Sequence, residues 1–218
     1  MYTTARLFQL LLRPFYFLLY HQFAWTYDLV AALISLGHWN EWVVSVLPYI
    51  HGRRVLELGH GPGHLQLALQ AGGLQAFGLD ESRQMGCQAA RRLRQGGMEV
   101  RLARALAQNL PFAKGSFGSI ALTFPSEFIF DPRTLTEITR VLAPGGELVI
   151  LPFAWLVGIR PLERLAAWLF RVTGEVPPRP GELDPRLKER FSRAGLETRQ
   201  EIVHQDASLL LFIIARKK

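Results

Sequence analysis

A single cysteine, Cys87, stands among 218 residues, so an intrachain disulfide and any multi-cysteine metal site are excluded. That usage agrees with a reducing compartment. There is also no run of eighteen uncharged apolar residues: the nearest approach, Leu7 to Tyr20, is broken by Arg13-Pro14, and no membrane-crossing helix is expected. A secretory leader would need a continuous apolar core and a small-residue cleavage site, and neither is clean here. The expected location is cytoplasmic, with contact at a membrane surface as a further option. Acids are few beside bases, 18 against 25, giving a net charge of +7. The excess favours an anionic neighbour such as nucleic acid, phospholipid or an acidic substrate. Yet Arg91, Arg92 and Arg94 fall on one expected helix and Arg216, Lys217 and Lys218 close the chain, as a solvated face and a solubilising tail would.

What is present in abundance is apolar: 49% of residues, enough for one well-buried domain and short for two. The stretch that organises it is Val55-Leu56-Glu57-Leu58-Gly59-His60-Gly61-Pro62-Gly63-His64. An apolar run with an acid near its end reads as a buried parallel strand, and the glycines as a turn where backbone approaches a ligand. A helix beginning near His64 would aim its free N–H groups at that turn. The glycines fall as GxGxG, not with the GxGxxG spacing of the dinucleotide fingerprint. A second strand, residues 75–79, ends at Asp80, whose carboxylate can accept two ribose hydroxyls. Ser82 is the expected cap of the next helix, 82–95, and Met85 could lie on an adenine face.

At these residues the chain resembles the class I S-adenosylmethionine-dependent methyltransferases. Two further segments carry the likeness. Leu110-Pro111-Phe112 with Ser116-Phe117 is similar to the family's lead into strand four, and Arg140-Val141-Leu142-Ala143-Pro144-Gly145-Gly146 to a signature of its small-molecule branch, the quinone-biosynthesis and type 11 domains. There are two departures. Leu106 stands where the family has an acid bonding the adenine amine, and Gly118 replaces an aspartate; Gln108 or backbone alone would then serve the adenine. The resemblance implies S-adenosylmethionine as cofactor, held by Glu57, Gly59, His60, Gly61, Gly63, Asp80, Glu81, Met85, Leu106, Ala107 and Phe124. Glu57 would orient the amino end of the cofactor, unless it forms a buried ion pair with Arg53 or Arg54.

The fold implied is α/β, a Rossmann-like doubly wound sheet of seven strands in the order 3-2-1-4-5-7-6 with strand seven antiparallel. Strand three is expected over Met98–Leu102, strand four to end at Thr123, a helix over 131–142 and strand five over Glu147–Leu151. The chain then divides into an N-terminal helical cap (1–50), a cofactor-binding core (51–151), an apolar insertion (152–184) and a last helix with a terminal hairpin (185–218). Cap and insertion together would make an apolar lid, which suggests a lipophilic acceptor.

Methyl transfer from a sulfonium is an in-line displacement in which positioning supplies roughly 7–11 kcal/mol, so a base is optional. Tyr27, His21 and Glu127 are the foremost base candidates, with His60 and His204 behind them. Tyr27 sits in a segment resembling the part of quinone-methylating members that folds over the cofactor. His60 and His64 are spaced like metal ligands, but without a third ligand no metal is expected. The reading is a methyltransferase acting on a small, lipophilic molecule, a quinone precursor or lipid among the candidates. The alternatives are a non-catalytic cofactor- or lipid-binding protein on the same fold, then an RNA or protein methyltransferase. Nucleic acid is not the expected partner: Phe124-Pro125-Ser126-Glu127 is not the tetrad of base-methylating relatives, and Cys87 lies in the wrong helix for a cytosine nucleophile.

Overall fold

The structure is a computed structural model that describes residues 32, 35–157 and 184–218. The expected first helix, Tyr27, His21 and most of the apolar insertion lie outside the described residues.

The apolar runs become strands buried on both faces. In β1 (Arg54–Leu58), Val55 enters one core while Leu56 and Leu58 enter the other; in β4 (Phe117–Thr123), Ala121 opposes Ile120 and Leu122 in the same way. A two-residue period with both phases apolar needs helices on both faces. On one face α1 (Trp39–Val44) supplies Trp42 and Val43, and α2 (His64–Ala71) supplies Leu65 and Leu69. On the other, α4 (Pro132–Val141) supplies Leu135 and Ile138, and α5 (Pro185–Arg193) supplies Phe191. Helix α3 (Arg83–Gln95) buries Met85, Ala89 and Leu93, one residue per turn on a single stripe. Its N-cap is Ser82, whose hydroxyl accepts the Met85 N–H; Asp131 and Asp184 cap α4 and α5 in front of a first-turn proline.

The sheet has seven strands in the order β3-β2-β1-β4-β5-β7-β6. Strands β2 (Gln75–Asp80), β3 (Leu102–Arg104) and β5 (Leu142–Leu156) run parallel to β1 and β4, while β7 (Ser208–Lys217) lies antiparallel between β5 and β6 (Leu196–Gln205). This is the expected topology, reversed strand included.

Two strand boundaries differ from expectation. Strand β3 forms at Leu102–Arg104 instead of Met98–Leu102, because pairing with Gly78–Asp80 sets its register. Strand β5 is longer at both ends. The Ala143–Gly146 turn bulges out between the pairs Phe117–Leu142 and Ser119–Glu147, and Pro152 is absorbed by a register shift between Ile150 and Phe153. A bulge lets a proline sit in a strand without a missing ladder bond.

The two outlying signature segments are one unit. Arg140 donates Nη1 to the Phe112 carbonyl at 2.7 Å and Nη2 to the Leu110 carbonyl at 2.9 Å, while Glu137, its ion-pair partner, accepts the Leu110 N–H at 2.7 Å. Arginine of α4 thus fixes the loop that leads from β3 into β4.

Candidate active site at the glycine turn

The turn follows β1 directly. Gly59, Gly61 and Gly63 have φ of 73°, 51° and 88°, a left-handed backbone that side chains resist. At Gly63, the N-cap of α2, a Cβ would also lie 2.8 Å from the Ala89 Cβ, so glycine is what lets α2 and α3 close on each other. Arg92 of α3 donates to the Pro62 carbonyl and ties the crest of the turn to the same helix.

Asp80 joins turn and strand. Its Oδ2 accepts the Gly61 N–H at 2.9 Å and its Oδ1 the Ser82 N–H at 2.8 Å. A carboxylate offers about four acceptor positions, so capacity remains for the two hydroxyls of a ribose. The carboxylate is half-buried and already oriented, and in this respect the site fits an adenosine-type cofactor.

Behind the turn lies a buried polar group of three. Glu57 is 2% exposed and receives the Gln66 Nε2 at 2.9 Å; the same Nε2 reaches the Phe77 carbonyl at 3.1 Å. Burial pushes the Glu57 carboxyl up to about 8; the Gln66 bond opposes this and the Asp80 charge adds to it. His60 is buried too, with Nδ1–H donated to the Gly61 carbonyl at 2.8 Å, and burial holds it below the ordinary histidine range. The neutral imidazole is therefore the form present at pH 7. Among the described residues Glu57 forms no ion pair with Arg53 or Arg54, and Arg54 lies over the Phe77 ring at 5.1 Å and the Phe117 ring at 5.5 Å.

The remaining predicted residues fall in three places. Glu81 is exposed beside the turn and lends its carbonyl to Arg104 Nε at 2.8 Å. Ala107 is buried, whereas Leu106 is 57% exposed at the position where the resemblance has an acid, and Gln108 is bonded to Asp131 at 3.2 Å. Met85 is fully enclosed on the inner stripe of α3. Phe124, at the tip of β4, has φ of 50°, rare for an aromatic residue, and its N–H is held by the Leu151 carbonyl at 2.7 Å. Its ring stacks on Trp39 with centroids 4.5 Å apart and faces Trp42 at 6.2 Å. Trp42 in turn donates Nε1 to Ser208 Oγ at 2.8 Å, so α1 is pinned over the carboxyl ends of the central strands.

Of the base candidates, Glu127 is exposed in a short 3-10 turn, Glu127–Phe130, after β4. His204 is exposed on the edge strand β6, with β4, β5 and β7 between it and β1, and is not brought to the glycine turn.

The Gly118 departure has a structural reason. A Cβ there would lie 3.0 Å from the His51 carbonyl and 3.2 Å from the Gly52 Cα, on the amino edge of the sheet opposite the turn. An aspartate there would have to push the His51–Gly52 backbone aside, and the position lies away from the glycine turn. Gln66 is the residue that sequence reasoning missed. Helical spacing placed it beside Leu65 and Leu69 on the inner face of α2, and a polar side chain at such a position was the available signal.

The seven-stranded order, the GxGxG turn and the acid ending β2 define a class I methyltransferase architecture. Residues 55–146 match the family described as methyltransferase domain. Two curated relatives are a demethylmenaquinone methyltransferase of Thermus thermophilus, 36% identical over 141 residues, 62% of this chain and 64% of the relative, and a ubiquinone/menaquinone biosynthesis C-methyltransferase of Blochmanniella floridana, 32% identical over 145 residues, 62% of this chain and 57% of the relative. The match spans under two thirds of either relative. Among solved structures, a methyltransferase described as SAM-dependent from Methanosarcina mazei superposes with a TM-score of 0.55 at 22% identity, over 79% of this chain and 96% of that one.

Proposed function

We propose that the protein moves a methyl group from S-adenosylmethionine to a small lipophilic acceptor, with quinone precursors and lipids as the candidate classes. The observation that carries the reading is the unit made by Asp80 and the glycine turn, an oriented carboxylate with spare acceptor positions at the carboxyl end of β2. Glu57, Gly59, His60, Gly61, Gly63 and Asp80 would form the cofactor cradle.

The cofactor supplies an electrophilic methyl group on a sulfonium. The chain supplies placement, which can account for about 7–11 kcal/mol of the barrier without a dedicated base. Phe124, held in a left-handed conformation between β4 and the tryptophans of α1, would form one wall of the acceptor pocket. Strained backbone at a strand tip is retained where geometry serves function. Phe153 near the end of β5 and Val157 just beyond it are further exposed apolar side chains. The names of the relatives, which concern quinone precursors, point to the same acceptor chemistry. Tyr27 and His21 remain base candidates, and residues 1–50 with the insertion would complete the lid.

A second reading, a non-catalytic binding protein on this fold, is favoured by exposed Leu106 in place of an adenine-bonding acid. Calorimetric titration of the full chain with S-adenosylmethionine tests the cofactor half of the proposal. Binding is the expected result, and no heat at any accessible concentration overturns it.

A further inference from the structure

The buried amide of Gln66 lies behind the glycine turn, outside the cradle of Glu57, the glycines and Asp80. Gln66 is fully buried on the inner face of α2, between Leu65 and Leu69, which are fully buried leucines. Its Nε2 is shared by the Glu57 carboxyl on β1 and the Phe77 carbonyl on β2, so one side chain bridges the two strands whose tips form the site. Its Oε1 finds no donor among the described residues. A leucine or methionine there would spare the unmet Oε1 but leave the buried Glu57 carboxyl without its donor, so the amide answers to Glu57 and not to packing alone.

The neighbouring strand also makes room for it. A Cβ at Gly78 would lie 3.2 Å from the Gln66 Cδ, 2.9 Å from the His60 Cδ2 and 2.6 Å from the Leu102 Cδ2. Strand β2 therefore forgoes a side chain where the amide and the imidazole pack.

We propose that Gln66 is a positioning residue of the cofactor site, acting through Glu57. The amide fixes the carboxyl in one orientation at the base of the turn and, by donating to it, favours its charged form. This rests on the reading that Glu57 faces the cationic end of S-adenosylmethionine. A charged, oriented carboxylate attracts that end, whereas a neutral and rotatable acid does so weakly. The titratable group that acts on Glu57 is Asp80. Asp80 opposes its ionisation, which leaves the Gln66 donor as the contact that favours it.

The test is S-adenosylmethionine affinity of the full chain, measured calorimetrically from pH 6 to 9, for the wild type, Gln66→Leu, Gln66→Met, Glu57→Gln and the double variant Glu57→Gln with Gln66→Leu. Loss of one hydrogen bond to a charged group predicts affinity about tenfold weaker at pH 7 for either Gln66 variant. It also predicts that the pH at which affinity rises moves upward, and that Gln66→Leu adds nothing once Glu57 is glutamine. Unchanged affinity and pH profile in a folded Gln66 variant, or an equal loss in the Glu57→Gln background, overturns the proposal. Gln66→Met keeps an unbranched shape should leucine fail to fold. If the wild type itself does not bind, the cofactor reading fails, which is a separate result.

Discussion

The Asp80 carboxylate accepts the Gly61 N–H at 2.9 Å, so the end of β2 and the turn after β1 are one hydrogen-bonded unit. Asp80→Ala removes the acceptor of both Gly61 and Ser82 N–H groups together with the proposed ribose contact. S-adenosylmethionine affinity should fall by at least tenfold and folding stability by about 1–3 kcal/mol. Calorimetry and urea denaturation on the same preparation read the two effects separately.

Gly63 and Gly73 both have positive φ, 88° and 79°, but differ in surroundings. Open space surrounds Gly73, while Gly63 faces Ala89. Gly73→Ala should cost about 1–2 kcal/mol of backbone strain. Gly63→Ala should cost that and a further 1–3 kcal/mol or so of overpacking between α2 and α3. Equal melting temperatures for the two variants would contradict this account of the turn.

Much of this was legible in the sequence because the signals are local. Val55 to Leu58, the three glycines and the acid ending β2 each state a backbone requirement, and α4 announces its start with Asp131-Pro132. Pairing partners are not local. The register of β3 is set by Gly78–Asp80, and the extension of β5 past Pro152 by β7, 52 to 58 residues away along the chain. Gly118 looked like a weakened motif because the His51–Gly52 backbone that occupies its side-chain space arrives from another part of the chain. Gln66 meets Glu57 only once α2 is folded onto β1, and nothing in its own neighbourhood along the chain shows that contact.

Stability should depend on pH through Glu57. Its folded pKa, about 8, stands above the ordinary 4.5, so the neutral acid favours the fold. That contribution is full below pH 4.5, declines as pH rises and is gone above 8, with a slope of at most about 1.4 kcal/mol per pH unit. His60 acts in the opposite sense: its depressed pKa adds stability above the ordinary histidine value of 6.5 that is lost as pH falls. Comparing wild type with Glu57→Gln by urea denaturation at pH 5, 6.5 and 8 isolates the Glu57 part. The variant should gain on the wild type as pH rises; parallel curves would refute the assignment.

Arg140 should matter more than a surface arginine. Its bonds to the Leu110 and Phe112 carbonyls hold the loop that precedes β4. Arg140→Ala should cost about 1–3 kcal/mol, and Arg140→Lys should recover only part, because a point ammonium cannot span two carbonyls and Glu137 as a guanidinium fork does. Urea midpoints within error of the wild type would show that the loop holds without the clamp.

The central claim is methyl transfer to a small lipophilic acceptor. The most direct measurement is transfer of a radiolabelled methyl group from S-adenosylmethionine by the full chain into a total cell extract, separated afterwards into lipid, small-molecule, RNA and protein fractions. The account predicts label in the lipid or apolar small-molecule fraction, abolished by Asp80→Ala. Label confined to RNA or protein, or no label in any fraction from protein that binds the cofactor, would contradict it.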